Sequence, residues 1–451
     1  MPDIDVAIVG GGISGLSAAR TLCEHGLRVR LFEREAACGG VIQTEHVDGF
    51  VIDSGPDTLL AHKPAALALV RELGLDDRLV APLPNRTTYV LRRTALRSLP
   101  EMSALGLPTS WRTLAAATAF SWRGKLRMAA EPLIPAAAPI DDESIAGFVR
   151  RRFGREAVTR VAEPLLAGLH RGDAARLSIR ALFPTLANAE RTHGSVARAW
   201  RRASRGGGGS MSLRDGLAEI AARLQAQLPP QVPVTGTEVA WIERNGSYTL
   251  GLRDGTTITS RAVLLATPAY VTAALTAELD VRLARLCGTI RFAPSLTVAL
   301  GYRRDRIRHD LGGWGFVVPA SERRRIRSAT WVSSKWPGRA PAGHALIRVS
   351  LDGAGQAEPD APNETLAARA HEELRALLGI TGDPVVARVY RRARAMPQLE
   401  MGHLERMAAI DRRLASVPGL FVSASGFRGV GLPDCIKDAR AVAERAAAYV
   451  R

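Results

Sequence analysis

The spacing of apolar positions changes along the chain, and each change marks an element. Residues 4–9, IDVAIV, are a compact β-branched run that predicts a strand. GGGISG (10–15) follows at once, and LSAARTLCEHG then sets Leu16, Ala19, Leu22 and Cys23 at helical spacing until Gly26 ends it. LRVRLFER predicts a second strand. Between 60 and 150 the pattern is mostly helical, cut by prolines at 82, 84, 100, 108, 132, 135 and 139. DDESIAGFVRRRFG carries acids and a serine ahead of an amphipathic run, and residues 155–178 put Val158, Val161, Leu165 and Leu169 on one buried stripe.

The glycine run at 206–210 predicts a flexible loop within one fold rather than a domain junction, and SLRDGL after it reads as a turn into a helix. Strand patterns then alternate with turns at Asn245-Gly246 and Asp254-Gly255, which predicts a β-meander. LTVALGY, GWGFVVP, SATWVSSKWP and ALIRVSLDG continue the strand pattern between 288 and 400. The chain closes on an apolar run, the turn GFRGVG and a long alanine-rich helix. Glycines ahead of a helix N-terminus let backbone N–H groups approach an anion or polar ring, so this turn reads as half of a cradle.

Composition narrows the class. The 451 residues, 46% hydrophobic and 23% charged, suit a globular chain of two or three domains. Cys23, Cys38, Cys287 and Cys435 form no CxxC pair, which argues against a zinc site or a secreted disulfide framework and favours the reducing cytoplasm. Asp3 and Asp5 precede the first apolar run, unlike a signal peptide, and no stretch has the roughly 18 apolar residues that span a bilayer. The net charge is +17, almost all of it from arginine. This reads either as genomic base composition or as preference for an acidic ligand or anionic surface. Aromatics at 5% and scattered arginine groups make nucleic acid the weakest partner.

The opening glycines supply the other half of the cradle. Gly10 permits the tight turn, Gly12 lets the backbone approach a pyrophosphate, and Gly15 lets helix pack on strand. Glu33 ends the second strand where a carboxylate binds adenosine ribose hydroxyls, and an acid there disfavours the 2′-phosphate of NADP. ACGGVIQT (37–44) and DGFVIDSGPDTL (48–59) would add backbone contacts along a longer dinucleotide.

With these motifs the chain resembles the flavoprotein oxidases that include amine oxidases, phytoene desaturases and protoporphyrinogen/coproporphyrinogen oxidases. FGREAVTRVAEPLLAGLHRGD, LANAERTHGS and RARAMPQLEMGHLERM are similar in particular to the bacterial haem-pathway oxidases. The resemblance implies FAD in a mixed α/β and α+β fold: a Rossmann-like, GR2-type FAD-binding domain with an interleaved substrate domain. The FAD domain is expected from residues 1–85, 206–285 and 401–451, a helical substrate and membrane-proximal part from 86–205, and a substrate-binding sheet from 286–400.

It implies FAD contacts at Gly10, Gly11, Gly12, Ile13, Ser14, Gly15, Glu33, Arg34, Gly39, Gly40, Thr44, Gly55, Pro56, Asp57, Thr58, Val239, Val430, Gly431 and Leu432. Substrate contacts are expected at Lys63, for propionate charge, and at Gly168, Val317, Trp331 and Val349. Pro433 begins the last helix at a position needing no N–H partner, and Cys435 reads as packed.

The implied reaction is six-electron oxidation of a porphyrinogen in three two-electron steps, with dioxygen as acceptor and hydrogen peroxide as product. Coproporphyrinogen III is favoured over protoporphyrinogen IX because Thr88 stands where protoporphyrinogen-type enzymes often place arginine. No catalytic acid or base and no metal site is assigned. A homodimer and peripheral contact with the inner face of the membrane are left open.

Two other readings share the motifs. A flavin amine oxidase would bind a cation, against the charge of this chain. A non-catalytic flavin- or porphyrin-binding paralogue draws on departures from the family pattern: Val41 for a basic residue, Leu169-His170-Arg171 within LHRGD for VYAGD, Arg392 for tryptophan, and Ala424-Ser425 for Gly-Asn.

Overall fold

The structure is a computed structural model and describes residues 2–99, 111–136, 142–203, 209–351 and 360–451. The predicted glycine loop at 206–210 lies largely outside these residues. Directly after it, Ser210–Leu213 is a strand paired with Leu59–Leu60 and Leu79–Val80, and the predicted helix follows at Ala218–Gln227.

The opening strand Ile4–Val9 lies at the middle of a seven-stranded sheet, parallel to Val29–Phe32 on one side and to Thr257–Leu265 on the other. Val6, Ala7 and Ile8 are all fully buried, because a parallel strand has both faces covered. On one face Val6 and Ile8 meet Leu16, Ala19 and Leu22 of the first helix, Ile13–Glu24, and Ala439, Val442, Ala443 and Ala446 of the last, Leu432–Val450. On the other, Ala7 and Val9 meet Leu283, Cys287, Met407 and Ile410.

The expected meander is present as Val239–Asn245, Ser247–Leu252 and Thr257–Leu265, antiparallel in sequence. The last of these is long enough to serve two neighbours. Its first half closes the meander, and Val263–Leu265 pair in parallel with Leu420–Val422, which leads into the C-terminal turn.

A second seven-stranded sheet runs in the order Val386–Gln398, Arg291–Arg303, His344–Leu351, Ile326–Trp331, Gly315–Val317, Thr88–Arg92, Ala95–Ser98. Its alternation is two-faced. Val298, Leu300, Ile347 and Val349 pack beneath the helix Asn363–Leu378 through Leu366, Ala370 and Leu374, leaving Thr297, Arg348 and Ser350 for the opposite face.

Two helical expectations need correction. Within 60–150, Thr88–Arg92 and Ala95–Ser98 are a strand hairpin on the edge of the second sheet, turned at Arg93 in the left-handed region. The short period-2 alternation of TYVLR outweighed the helical pattern around it. The 155–178 stripe is not one continuous helix. Arg155–Ala157 passes into a π turn, Val158–Ala162, before Glu163–Leu169. Pro164 offers no N–H and crowds the carbonyl four residues back, which a widened turn accommodates. Val158, Val161 and Leu165 are nonetheless buried as expected, while the Leu169 side chain lies outside the described set.

The helical part is tied together by charge in its core. Arg152 and Glu131 are both fully buried and paired, Arg152 Nε donating to Glu131 Oε1 at 2.8 Å. Glu131 also accepts from the N–H of Val196 at 3.0 Å, and Arg152 donates to the carbonyls of Ile134 and Gly194. Glu131→Ala, which leaves the buried guanidinium only Glu190 at 3.4 Å as an acid, is expected to cost about 3–5 kcal/mol in denaturant unfolding, whereas Glu131→Met with Arg152→Met recovers part of that loss.

Candidate active site

The N-terminal turn is built by close contact. Gly10 has φ +103°, and a Cβ there would sit 2.7 Å from the Ala266 carbonyl oxygen. A Cβ on Gly15 would lie 1.9 Å from the Gly10 carbonyl oxygen, so helix and strand meet only because both positions lack a side chain. Gly12 differs: a Cβ there meets nothing within 4 Å. It is the N-cap of the first helix, with no side-chain cap, and Ile13 and Ser14 are buried behind it. The free helix N-terminus therefore faces open space, as a pyrophosphate requires.

Glu33 lies beside this turn, 8% exposed, and its carboxylate accepts the N–H of Gly11 at 2.6 Å and of Glu35 at 2.9 Å. Arg34 points away, exposed and paired with Glu35. Gly39 and Gly40 fold over the same turn, the Gly39 N–H donating to the Gly11 carbonyl at 2.8 Å and a Gly40 Cβ falling 3.3 Å from Gly12 Cα. Val239 is buried two residues beyond Thr237, whose N–H donates to the Glu33 carbonyl. Thr44 stands further off as a brace: its hydroxyl donates to Asp53 at 2.6 Å and accepts the Ala218 N–H.

The C-terminal half has the same form. Gly431 is the N-cap of the last helix, again without a side-chain cap; Leu432 is its first residue and Pro433 falls within the first turn. The Val430 carbonyl accepts from Ser425 Oγ at 3.3 Å. Ser425 thus closes the turn on itself, while Ala424 and Phe427 are core. His403 Nε2 lies 2.7 Å from the Phe427 carbonyl oxygen, and Cys435 is buried with its thiol pushed up to about 12 by burial.

Between the two halves sits the turn 53–58, held from the second sheet and its margin by side chains that sequence reasoning missed or, for Arg392, noted only as a departure from the family pattern. Arg348 donates to the carbonyls of Asp53 and Gly55 and, at 2.9 Å, to Asp57. Arg392 donates to the Ser54 carbonyl at 3.0 Å and to Gln43. Lys335 reaches Thr58 Oγ1 at 2.8 Å and Asp57 at 3.5 Å, and Arg339 lies 3.0 Å from Asp53. Gly55 is pressed on Val41, where a Cβ would come 2.0 Å from the carbonyl oxygen; Pro56 beside it is partly exposed. The available signal was a cation interrupting an apolar strand, as Arg348 does in ALIRVSL.

The two acids of this turn shift in opposite directions. Burial raises Asp53, with Arg339 only partly offsetting it. Burial also opposes ionisation of Asp57, but the charges of Arg348 and Lys335 and the Thr58 hydrogen bond prevail and hold its carboxyl well below the usual range.

The expected substrate residues separate into three groups. Gly168 and Val317 come together, a Gly168 Cβ falling 3.8 Å from Val317 Cγ1 and 3.1 Å from Ser328 Oγ. Trp331 and Val349 are a correction: both are fully buried in the cluster beneath Asn363–Leu378. Strand alternation sends their side chains to the face opposite Arg348 and Ser350. Lys63 is partly exposed and is hydrogen-bonded to Asp434 in the first turn of the last helix, at 2.6 and 2.9 Å.

Two uncapped helix N-termini, a glycine facing open space and a buried strand-end carboxylate fit FAD: the first N-terminus for its pyrophosphate, Glu33 for its ribose hydroxyls, and the Val430–Leu432 backbone for the polar ring. Residues 13–447 match the family model of flavin containing amine oxidoreductases. The chain belongs to this family. FAD is its cofactor, and it is an oxidoreductase of the bacterial haem-pathway branch. It is 32% identical over 464 residues, 99% of this chain and 98% of the relative, to a coproporphyrinogen III oxidase of Bacillus subtilis (strain 168). The corresponding figures for a coproporphyrinogen III oxidase of Propionibacterium freudenreichii are 33%, 96% and 89%. A solved structure of a candidate protoporphyrinogen oxidase from Exiguobacterium sp. 255-15 superposes with a TM-score of 0.87 at 27% identity, over 99% of both chains. Putrescine oxidase, at 17% identity and a TM-score of 0.72 over 99% of both chains, shares the fold.

Gly12→Ala is expected to leave apoprotein stability within about 0.5 kcal/mol while lowering the fraction of FAD retained on gel filtration. Gly15→Ala destabilises the apoprotein itself, by about 1–3 kcal/mol of overpacking. Asp57→Asn leaves Lys335 and Arg348 buried without their acid and costs about 3–5 kcal/mol at neutral pH. Because the folded carboxylate has a depressed pKa, its contribution is present at every pH above about 4 and is lost only as pH falls through the folded value. The gap between wild type and Asp57→Asn in denaturant titrations therefore stays constant down to about pH 4 and narrows below it.

Proposed function

We propose that the protein oxidises a porphyrinogen to the porphyrin in haem biosynthesis, using FAD and dioxygen and favouring coproporphyrinogen III over protoporphyrinogen IX. The observation carrying this reading is the full-length likeness to coproporphyrinogen III oxidases, joined to a cofactor cradle faced by a sheet rich in cations. We assign the cofactor part to residues 1–85, 206–285 and 401–451 and the substrate part to 86–205 and 286–400, with the hairpin at 88–98 completing the substrate sheet.

Atoms balance if six hydrogens leave the macrocycle and three dioxygen molecules become three hydrogen peroxide. Bound FAD supplies the hydride acceptor. The chain binds, orients and excludes water. A dedicated strong base is not needed when a pyrrole N–H can release its own proton, and the nearby histidines fit that division of labour. Burial lowers His170 to about 4, so it is neutral at physiological pH, and His403 is committed to the Phe427 carbonyl.

No described helix is long and apolar enough to cross a membrane. We place peripheral membrane contact at Trp122, Leu126 and Leu133, which are exposed beside Arg123.

Coproporphyrinogen III and protoporphyrinogen IX supplied side by side to the FAD-loaded protein test the reading through porphyrin fluorescence and peroxide yield. We expect faster turnover of coproporphyrinogen III, with one peroxide per electron pair. Peroxide from putrescine and no porphyrin from either porphyrinogen would overturn it.

A further inference from the structure

Most cations around the substrate face are already committed. Lys63 is bound to Asp434, Lys335 and Arg348 to Asp57, and Arg392 to the Ser54 carbonyl and Gln43. Arg171 is different. Its Nη2 donates to Thr297 Oγ1 at 3.1 Å, and among the described residues no carboxylate lies within ion-pair distance of it. A guanidinium has five N–H donors, and holding one partly out of water without an anion costs free energy unless a ligand supplies the charge.

The backbone holds the side chain there. Arg171 has φ +51°, a left-handed conformation uncommon for a residue with a Cβ. The neighbouring positions are wedged: Gln398 Nε2 donates to the His170 carbonyl at 3.0 Å, and a Cβ on Gly172 would lie 2.3 Å from Gln398 Oε1. Thr297 lies directly across from Ser350 in the strand register, so both hydroxyls share the face opposite the buried Val349. Ser350 Oγ and His170 Nδ1 are buried and have no hydrogen-bond partner among the described residues. Burial and then the like charge of Arg348 lower Arg171 to about 10, which still leaves it protonated at neutral pH.

We propose that Arg171 receives a carboxylate of the substrate, one propionate of the tetrapyrrole, where the loop after Glu163–Leu169 meets the strand Arg291–Arg303. Thr297 orients the guanidinium, and Ser350 Oγ supplies a further polar contact. This moves propionate recognition from Lys63, where the sequence placed it, to the LHRGD segment in which this chain departs from the family pattern. The inference rests on the porphyrinogen reading and makes Arg171 a determinant of affinity for acidic substrates.

The test compares wild type, Arg171→Met, Arg171→Lys and Thr297→Val as FAD-loaded full-length proteins. Each is titrated by fluorescence with coproporphyrin III and with its tetramethyl ester, which keeps the ring and removes the charges. Arg171→Met should weaken the acid by about 10- to 100-fold, as loss of a charge-assisted hydrogen bond does, and leave the ester unchanged. KM for coproporphyrinogen III should rise with kcat held within about twofold, since the contact is equal in ground and transition states. Arg171→Lys should recover part of the affinity, and Thr297→Val should lose less than Arg171→Met.

The flavin spectrum and thermal midpoint should not fall, because removing a half-buried cation that has no acidic partner among the described residues does not destabilise. Equal binding of the acid by wild type and Arg171→Met, or equal loss of acid and ester, overturns the proposal alone. If Arg171→Met does not fold, Arg171→Lys and Thr297→Val decide in the same way. A wild type that neither binds porphyrin nor oxidises porphyrinogen overturns the proposal and the reading beneath it.

Discussion

A single buried carboxylate, Asp57, joins the two halves of the molecule. It belongs to the turn that follows the double glycine of the nucleotide cradle, and its partners Arg348 and Lys335 come from the second sheet and its margin. Charges taken out of water attract strongly but cost desolvation, so such a contact persists only where several groups meet at fixed geometry. Here Arg348 also binds the carbonyls of Asp53 and Gly55, and Arg392 binds that of Ser54. The turn is thereby set from outside its own sheet. A shift of either sheet would break several buried polar contacts at once.

The cradle depends on that placement and on absent side chains. Gly10 and Gly15 exist where atoms of Ala266 and Gly10 leave no room for a Cβ, whereas Gly12 leaves room that the protein does not fill. The last helix repeats the scheme at Gly431. Its alanines, Ala439, Ala443 and Ala446, allow close packing on the first helix and bring both N-termini to the same side of the opening sheet. The two helix N-termini thus carry partial positive charge on that side without any side chain being used for it.

Substrate chemistry follows from which cations remain available once the fold has used the others. Lys63 looked suited to an acidic substrate, but Asp434 lies within 2.9 Å of it. Arg348 and Arg392, which face the turn 53–58, support backbone carbonyls. A chain with net charge +17 therefore offers little uncommitted charge at its centre, and the position of Arg171 matters more than the total.

The nucleotide cradle was legible in the sequence because its chemistry is local. Strand, glycine turn, helix and Glu33 lie within a short span, and the meander was marked by its Asn-Gly and Asp-Gly turns. The face on which Trp331 and Val349 fall was not legible. Alternation separates two faces of a strand but does not say which packs on the helix Asn363–Leu378 and which meets the turn 53–58. Likewise the hairpin Thr88–Arg92 and Ala95–Ser98 becomes an edge only because Gly315–Val317 pairs with it across the chain. Ion pairing was also beyond reach, since Lys63 and Asp434, or Asp57 and Arg348, meet only when distant segments fold together. The sequence by itself determined the cofactor class, through glycine and carboxylate spacing that admits few alternatives. Only the tertiary structure decided which charges are spent on the fold and which are left for a ligand, because that is fixed by contacts between segments hundreds of residues apart.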